Sequence, residues 1–297
     1  MKSIDPKNLQ AELAEYLRQV KLEMPERRLA LSKQLGQHLL VEPSLLERIA
    51  SAASAFDTGL VVEVGTGPGN LTLALARAFD RVIGVEVDKG LFELASELLA
   101  SEPDVMLVHG DILKLSLPEL AEGARYTLVS NVPYSISGPF LAKLALEAEG
   151  LEGAVLMLQN EVASRLAARP GAAAYGSLSV LLGCYYRVEP LFKVSASAFM
   201  PKPQVSSQVL RVTPLAAPLL PWEKAPALEA LLRASFGSRR KQLANSLKHH
   251  LLPTSPEALA SALRAAGVSG EARAEQLSPQ QFTSLVASCQ ESGVRLL

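Results

Sequence analysis

Cysteine is scarce: the 297 residues hold two, Cys184 and Cys289, far apart and without partners at metal-ligand spacing. That argues against a disulfide framework or a metal site, and both are read as buried thiols of a reducing compartment. No apolar run is long enough to span a bilayer, so no membrane partner is expected. The N-terminus lacks the pattern of a secretory signal, and Asp5, Glu12, Glu15 and Glu23 argue against a transit peptide. The expected location is the cytoplasm. Neither sign of charge dominates: 29 Lys and Arg against 30 Asp and Glu leave a net −1, with a pI near 6.5. Bulk charge therefore does not advertise a nucleic-acid binder, and such a role must rest on local clusters. There is no internal repeat, and no low-complexity tract beyond Ala-rich helices.

What is present is an ordinary globular balance, 48% hydrophobic and 20% charged, in a chain long enough for a large domain and a small one. Leu9, Leu13, Leu17 and Val20 recur at helical spacing within a polar extension over 1–30, read as a surface helix or mobile tail. From residue 60, short apolar runs alternate with helical stretches. Strands are predicted at 60–64, 81–87, 105–111, 126–131 and 154–159, with helices at 70–79 and 89–100 between them. Such alternation implies βαβ units and a parallel sheet, an α/β fold. Two further strands in 178–212 form a closing antiparallel pair. Pro214, Pro218 and Pro221 then mark a linker. Amphipathic helices at 224–236, 238–250, 256–266 and 279–290 make a small helical domain. The expected division is thus 1–30, a catalytic domain over 31–213, and a helical domain over 214–297.

The strongest element is Glu63-Val-Gly65-Thr-Gly67-Pro-Gly69-Asn70-Leu-Thr72, after a strand and opening a helix. Glycines at alternate positions let the backbone turn tightly and approach a ligand closely. The spacing is G-x-G-x-G, with Asn70 where the dinucleotide fingerprint would need glycine, so a smaller nucleoside fits better than a pyrophosphate. Glu86 ends the next strand, where an acid accepts from both ribose hydroxyls. Asp111 ends the third strand, where a carboxylate takes an adenine amino group. A lone acid at a strand end is usually just solvated. Three features in register at the carboxyl ends of successive parallel strands point to an S-adenosylmethionine site.

Asn131-Val132-Pro133-Tyr134 follows the fourth strand and resembles the [Asn/Asp]-x-Pro-[Tyr/Phe/Trp] element of amino methyltransferases. The lone pair of an adenine N6 amine is delocalised into the ring. Acceptors for its N–H groups concentrate density on nitrogen, and Asn131 Oδ1 and the Val132 carbonyl are expected to serve, set by the Pro133 turn. Tyr134 offers a flat face to an extruded base. A sulfonium leaving group needs neither metal nor covalent nucleophile, leaving in-line positioning as the task.

With these elements in place the chain resembles the KsgA family of small-subunit ribosomal RNA adenine dimethyltransferases from about residue 31 to 285. The pieces are Ser32–Leu40, the glycine loop, Glu86, Gly110-Asp111, Asn131–Tyr134, Phe199–Val205, Ser235–Leu247 and Arg273–Phe282. The glycine loop alone would indicate only a class I (Rossmann-like) methyltransferase. Residues 239–241 and the Leu277–Phe282 ending favour this family over the resistance methylases that act on the large subunit. The resemblance implies that Gln37, His38 and Leu40 cap the methionine and ribose side of the cofactor, and that Phe199 stacks on the target base opposite Tyr134. It implies dimethylation of two adjacent adenines near the 3′ end of small-subunit rRNA, in a pre-assembled subunit, by an enzyme expected to be a monomer. The family usually carries Asn at His38, so cofactor affinity is expected to gain pH sensitivity. It usually carries basic residues where this chain has Ala173 and Ser177, which weakens the electrostatic grip on RNA. Its extension before residue 31 is usually shorter.

The RNA contacts are expected from local charge. Arg239, Arg240, Lys241 and Lys248 lie in an acid-free run on one predicted helix, and Lys33 and Lys202 border the cofactor entrance and the base pocket. A solvated face is the ordinary reading of such a run. Phosphate contact is favoured here because the run opens the helical domain, and it would position RNA without reading its sequence. Three other functions are weighed: a large-subunit rRNA adenine methylase, a non-catalytic RNA-binding assembly or transcription factor of the same fold, and, more distantly, a nicotinamide oxidoreductase.

Overall fold

A computed structural model describes residues 6–32, 35–147, 149–238, 241–250 and 255–294. It divides into two compact units, one of residues 1–163 and 189–213, the other of 164–188 and 214–297. The second unit therefore does not follow from a single cut at 213/214. Among the described residues no helix is long and apolar enough to cross a membrane.

The first unit begins with α1 (Pro6–Glu26), β1 (Leu39–Leu40), α2 (Pro43–Ser54), β2 (Leu60–Val64) and α3 (Asn70–Ala78). It continues through β3 (Arg81–Glu86), α4 (Lys89–Leu98), β4 (Val105–His109), α5 (Leu117–Leu120), β5 (Tyr126–Asn131), α6 (Ser137–Leu146), β6 (Leu151–Gln159) and α7 (Asn160–Leu166). After α8 (Ser177–Gly183) come β7 (Tyr186–Val194), β8 (Phe199–Met200) and β9 (Ser207–Pro214). The main sheet has the order β4-β3-β2-β5-β6-β9-β7. Strands β4 to β6 run parallel, and β9 returns antiparallel to β6. β2 lies between β3 and β5, so the chain crosses to opposite sides of it, which opens a crevice at the carboxyl ends of these strands. β2 is buried throughout, and β3 and β5 nearly so, because helices cover a parallel sheet on both faces. β4, at the edge, leaves Met106 and His109 exposed. Helix α4 starts where Asp88 accepts from Leu91 N at 3.1 Å.

Over 6–26 the N-terminal segment is an amphipathic surface helix with one face docked, not a mobile tail. In α1 the predicted stripe of Leu9, Leu13, Leu17 and Val20 is extended by Tyr16 and Met24, and all six are buried in the hydrophobic core against α2 and α3. Burying one such side chain is worth about 1.5–3 kcal/mol, so six on one face outweigh the polar remainder.

In the second unit α8 packs against α9 (Ala225–Phe236) and α12 (Pro279–Glu291), and α10 (Leu243–His250) and α11 (Pro256–Ala265) join these two, α10 on α9 and α11 on α12. Ser255 and Ser278 cap α11 and α12, each followed by proline at the first helical position. Tyr175 Oη donates to the Leu277 carbonyl at 2.9 Å. Burial pushes the thiols of Cys184 and Cys289 up to about 12 and 11. The helix expected over 238–250 starts only at Leu243. Lys241 closes a turn onto the Ser238 carbonyl before it, so it does not share a helical face with Lys248.

Candidate active site

The glycine loop joins β2 to α3. Gly65, Gly67 and Gly69 have φ of +75°, +55° and +92°, a region that other residues enter only with strain. At Gly67 a Cβ would also lie 3.0 Å from Leu39. The Gly65 N–H donates to the Val85 carbonyl at 2.9 Å, stitching the loop to β3. Gly67 N donates to Glu86 Oε2 at 2.7 Å and Asp88 N to Oε1 at 2.9 Å, so Glu86 is fixed by both its oxygens. Each oxygen keeps a second lone pair for a ligand. Burial raises the Glu86 carboxyl above its ordinary range, against the pull of the Asp88 and Gly67 donors.

Around this loop lies a cavity of about 210 Å³. Gln37, His38, Leu40, Gly65, Gly67, Glu86, Asp111, Asn131, Val132, Pro133 and Tyr134 all line it. Gln37 is held by Ser32 N, which donates to its Oε1 at 2.7 Å, and donates to Asp88 Oδ2 at 3.3 Å. Asp111 Oδ1 accepts from Leu113 N at 3.0 Å, and Oδ2 lies 3.8 Å from the exposed Lys114 Nζ.

Asn131 ends β5, and its Nδ2 donates to the His38 carbonyl at 2.9 Å. The amide is thereby oriented, with Oδ1 turned away from that carbonyl. The Val132 peptide is fixed as its N–H donates to the Met157 carbonyl at 3.0 Å. His38 Nδ1 donates to the Pro201 carbonyl at 2.7 Å, and its ring sits 5.0 Å from that of Tyr134. Tyr134 is half-buried, which raises its phenol pKa, and its Oη lies 3.2 Å from Ser207 Oγ.

Phe199 belongs to a different layer. β1 and β8 form a two-stranded antiparallel ladder in which Leu40 faces Phe199. The Phe199 ring is 4% exposed, packs in the hydrophobic core and does not line the cavity. Lys202 is exposed beside Pro201. Lys33, Arg239 and Arg240 lie outside the described residues. Lys241 and Lys248 are exposed in the second unit, where Lys248 and Arg264 border a hollow between α10 and α11.

Two polar residues that line the cavity, Glu63 and Asn70, were quoted with the glycine loop but given no part in the site. Glu63, buried in β2, accepts from Thr72 Oγ1 at 2.6 Å. Burial pushes its carboxyl up to about 8, opposed by the Thr72 hydroxyl and reinforced by Glu86. Asn70 Nδ2 donates to the Leu40 carbonyl at 3.0 Å, while Asn70 Oδ1 is buried with no hydrogen-bond partner among the described residues. The signal for Glu63 was an acid within an otherwise apolar strand.

The ribosomal RNA adenine dimethylase family matches residues 28–291. The chain belongs to this family. It is thus a ribosomal RNA adenine dimethyltransferase on a Rossmann-like α/β fold. Curated relatives agree. The ribosomal RNA small subunit methyltransferase A of Shouchella clausii is 36% identical over 86% of this chain and 88% of its own. Its namesake in Geobacillus thermodenitrificans is 37% identical over 85% and 89%. Among solved structures, a dimethyladenosine transferase from Plasmodium falciparum shares the fold at a TM-score of 0.73 and 24% identity, covering 87% of this chain and 100% of that one. The 23S rRNA methyltransferase ErmE is 27% identical at a TM-score of 0.63, with 85% and 99% covered.

Proposed function

We propose that this enzyme transfers methyl groups from S-adenosylmethionine to the N6 amines of two adjacent adenines near the 3′ end of small-subunit rRNA. The product is N6,N6-dimethyladenosine, made in the cytoplasm by a monomer acting on a pre-assembled small subunit, without a metal. The names of the curated relatives favour the small subunit over the large one.

The cavity's donor set fits the cofactor. Two carboxylates and an unpartnered buried amide oxygen face a ligand that carries hydroxyl, amino and ammonium donors. Glu86 accepts from the ribose hydroxyls, Asp111 from the adenine amino group, and Gln37, His38 and Leu40 close the methionine side. When bound, the cofactor supplies an electrophilic methyl group on a sulfonium that leaves as a neutral thioether.

The observation that carries the catalytic reading is the orientation of Asn131. With Nδ2 committed to the His38 carbonyl, Oδ1 is the amide atom left to accept from the target amine, beside the Val132 carbonyl. Two preorganised acceptors raise density on N6 as it attacks, and solvent takes the proton that nitrogen loses. A neutral amide accepts from an N–H of the amine in the first transfer and from its one remaining N–H in the second. Tyr134 stacks on the extruded base, and Phe199 acts through Leu40, its partner in the β1–β8 ladder and a residue of the cavity wall. Lys33, Lys202, Arg239, Arg240, Lys241 and Lys248 contact rRNA phosphates.

Asn131→Ala tests this assignment. Turnover on small subunits is expected to fall on the order of 10²-fold while cofactor affinity stays within about threefold. An equal loss of both would remove Asn131 from the chemistry. Methylation of naked large-subunit rRNA in preference to small subunits would favour the resistance-type reading.

A further inference from the structure

The proposed reaction gives no task to α1, yet this helix reaches the cofactor loop. Tyr16, in the middle of α1, is 7% exposed. Its Oη donates to the Pro68 carbonyl at 2.8 Å, a buried bond linking residues 52 apart in the chain. Pro68 sits between Gly67 and Gly69, at the tip of the loop that turns into α3. On its other side the loop is held by Gly67 N donating to Glu86. The fit is close: a Cβ on Gly69 would lie 2.5 Å from Tyr16 Oη and 2.8 Å from Leu99.

The rest of α1 is fastened to the elements that carry the site. Arg77, in the last turn of α3, pairs with Glu12 of α1 at 2.5 Å and also with Glu102. Just past α1, Arg27 pairs with Glu97 of α4 at 2.7 Å. Pairs near the surface add little stability, but these fix the helix in register along α3 and α4. Leu29 also covers Gly90, at the start of the helix that Asp88 caps.

We infer that Tyr16 is a positioning residue for the cofactor, and that α1 braces the glycine loop from behind. The inference rests on the S-adenosylmethionine reading of the cavity. A loop of three left-handed glycines has wide conformational freedom when unbraced. Holding the Pro68 carbonyl restricts it to the shape in which Gly65 and Gly67 present their backbone to the ligand. Tyr16 makes no contact with the reacting groups, so its effect belongs to binding and not to the chemical step.

Tyr16→Phe removes one hydroxyl and leaves the ring in place. Calorimetric titration with S-adenosylhomocysteine is expected to show affinity about three- to tenfold weaker, the fold-change of one buried hydrogen bond. Turnover at saturating S-adenosylmethionine should stay within about twofold. Leu13→Ala is the control for stability alone: Leu13 is fully buried on the same helix face one turn earlier. It should lower the melting temperature and leave the affinity at 25 °C within about twofold, and Leu13→Val serves where Leu13→Ala does not fold. Wild-type affinity in Tyr16→Phe would overturn the inference. So would an equal affinity loss in a Leu13 variant, which would trace the effect to general loosening. Failure of the unsubstituted protein to bind S-adenosylhomocysteine would overturn the cofactor reading itself, before any variant is compared.

Discussion

Substituting Glu86 by Gln separates cofactor binding from chemistry. The wild-type carboxylate accepts Gly67 N at 2.7 Å through one oxygen and Asp88 N at 2.9 Å through the other. Glutamine keeps only one of these acceptors. Its amide nitrogen then meets a backbone N–H, donor against donor, and can no longer accept from one ribose hydroxyl. A hydrogen bond to a charged acceptor contributes about 1.5–3 kcal/mol. Taking about 2–3 kcal/mol for the lost bond and the displaced loop gives a Kd for S-adenosylhomocysteine roughly 30- to 150-fold higher. Titration calorimetry should be run near pH 8, because burial raises the Glu86 carboxyl and acid makes the wild type resemble the variant. Turnover at saturating cofactor should change far less than affinity. A Kd within threefold of wild type would refute the reasoning, as would a fall in turnover that matches the fall in affinity.

Glu63→Gln should alter the pH dependence of stability. The folded carboxyl titrates near 8 against 4.5 for the ordinary group, so between pH 5 and 8 the folded chain holds a proton that the unfolded chain has lost. This contribution is complete below about pH 4.5 and gone once pH passes 8. Melting temperatures at pH 5.5 and 8.5 should therefore fall more steeply in wild type than in the variant; parallel slopes would contradict the raised titration of this buried acid. At Tyr134, loss of the ring in Tyr134→Ala should lower kcat/KM for small subunits about 5- to 150-fold, the range for one stacked base. Tyr134→Phe should stay within a few-fold, since the hydroxyl's partner among the described residues is Ser207 Oγ, away from the reacting amine. Equal defects would assign the role to the hydroxyl.

The sheet was legible because its strands are buried on both faces. Leu60–Val64 and Tyr126–Asn131 read as near-continuous apolar runs, and the structure keeps those bounds. The glycine loop, Glu86 and Asp111 were legible for the same reason: parallel strands deliver their carboxyl ends to one crevice. What stayed hidden depended on partners distant in sequence. A periodic stripe of Leu9, Leu13, Leu17 and Val20 predicts a helix but does not say what covers it, so its docking on α2 and α3 came only from the fold. The family resemblance implied that Phe199 stacks on the base, while in the structure Phe199 pairs with Leu40 and is buried. The amide of Asn131 is oriented by a carbonyl 93 residues away, which no local pattern records. The start of α10 was misplaced because the charge run over 238–241 carries good helix formers, whereas Lys241 is spent on a turn to Ser238.

Small subunits isolated from a strain lacking the modification, incubated with this protein and S-adenosylmethionine labelled on the methyl group, test the central claim most directly. Nucleoside analysis should find the label as N6,N6-dimethyladenosine, mapped to two adjacent adenines near the 3′ end of small-subunit rRNA, and Asn131→Ala should abolish most of it. Label confined to large-subunit rRNA, or no label with either subunit, would contradict the account.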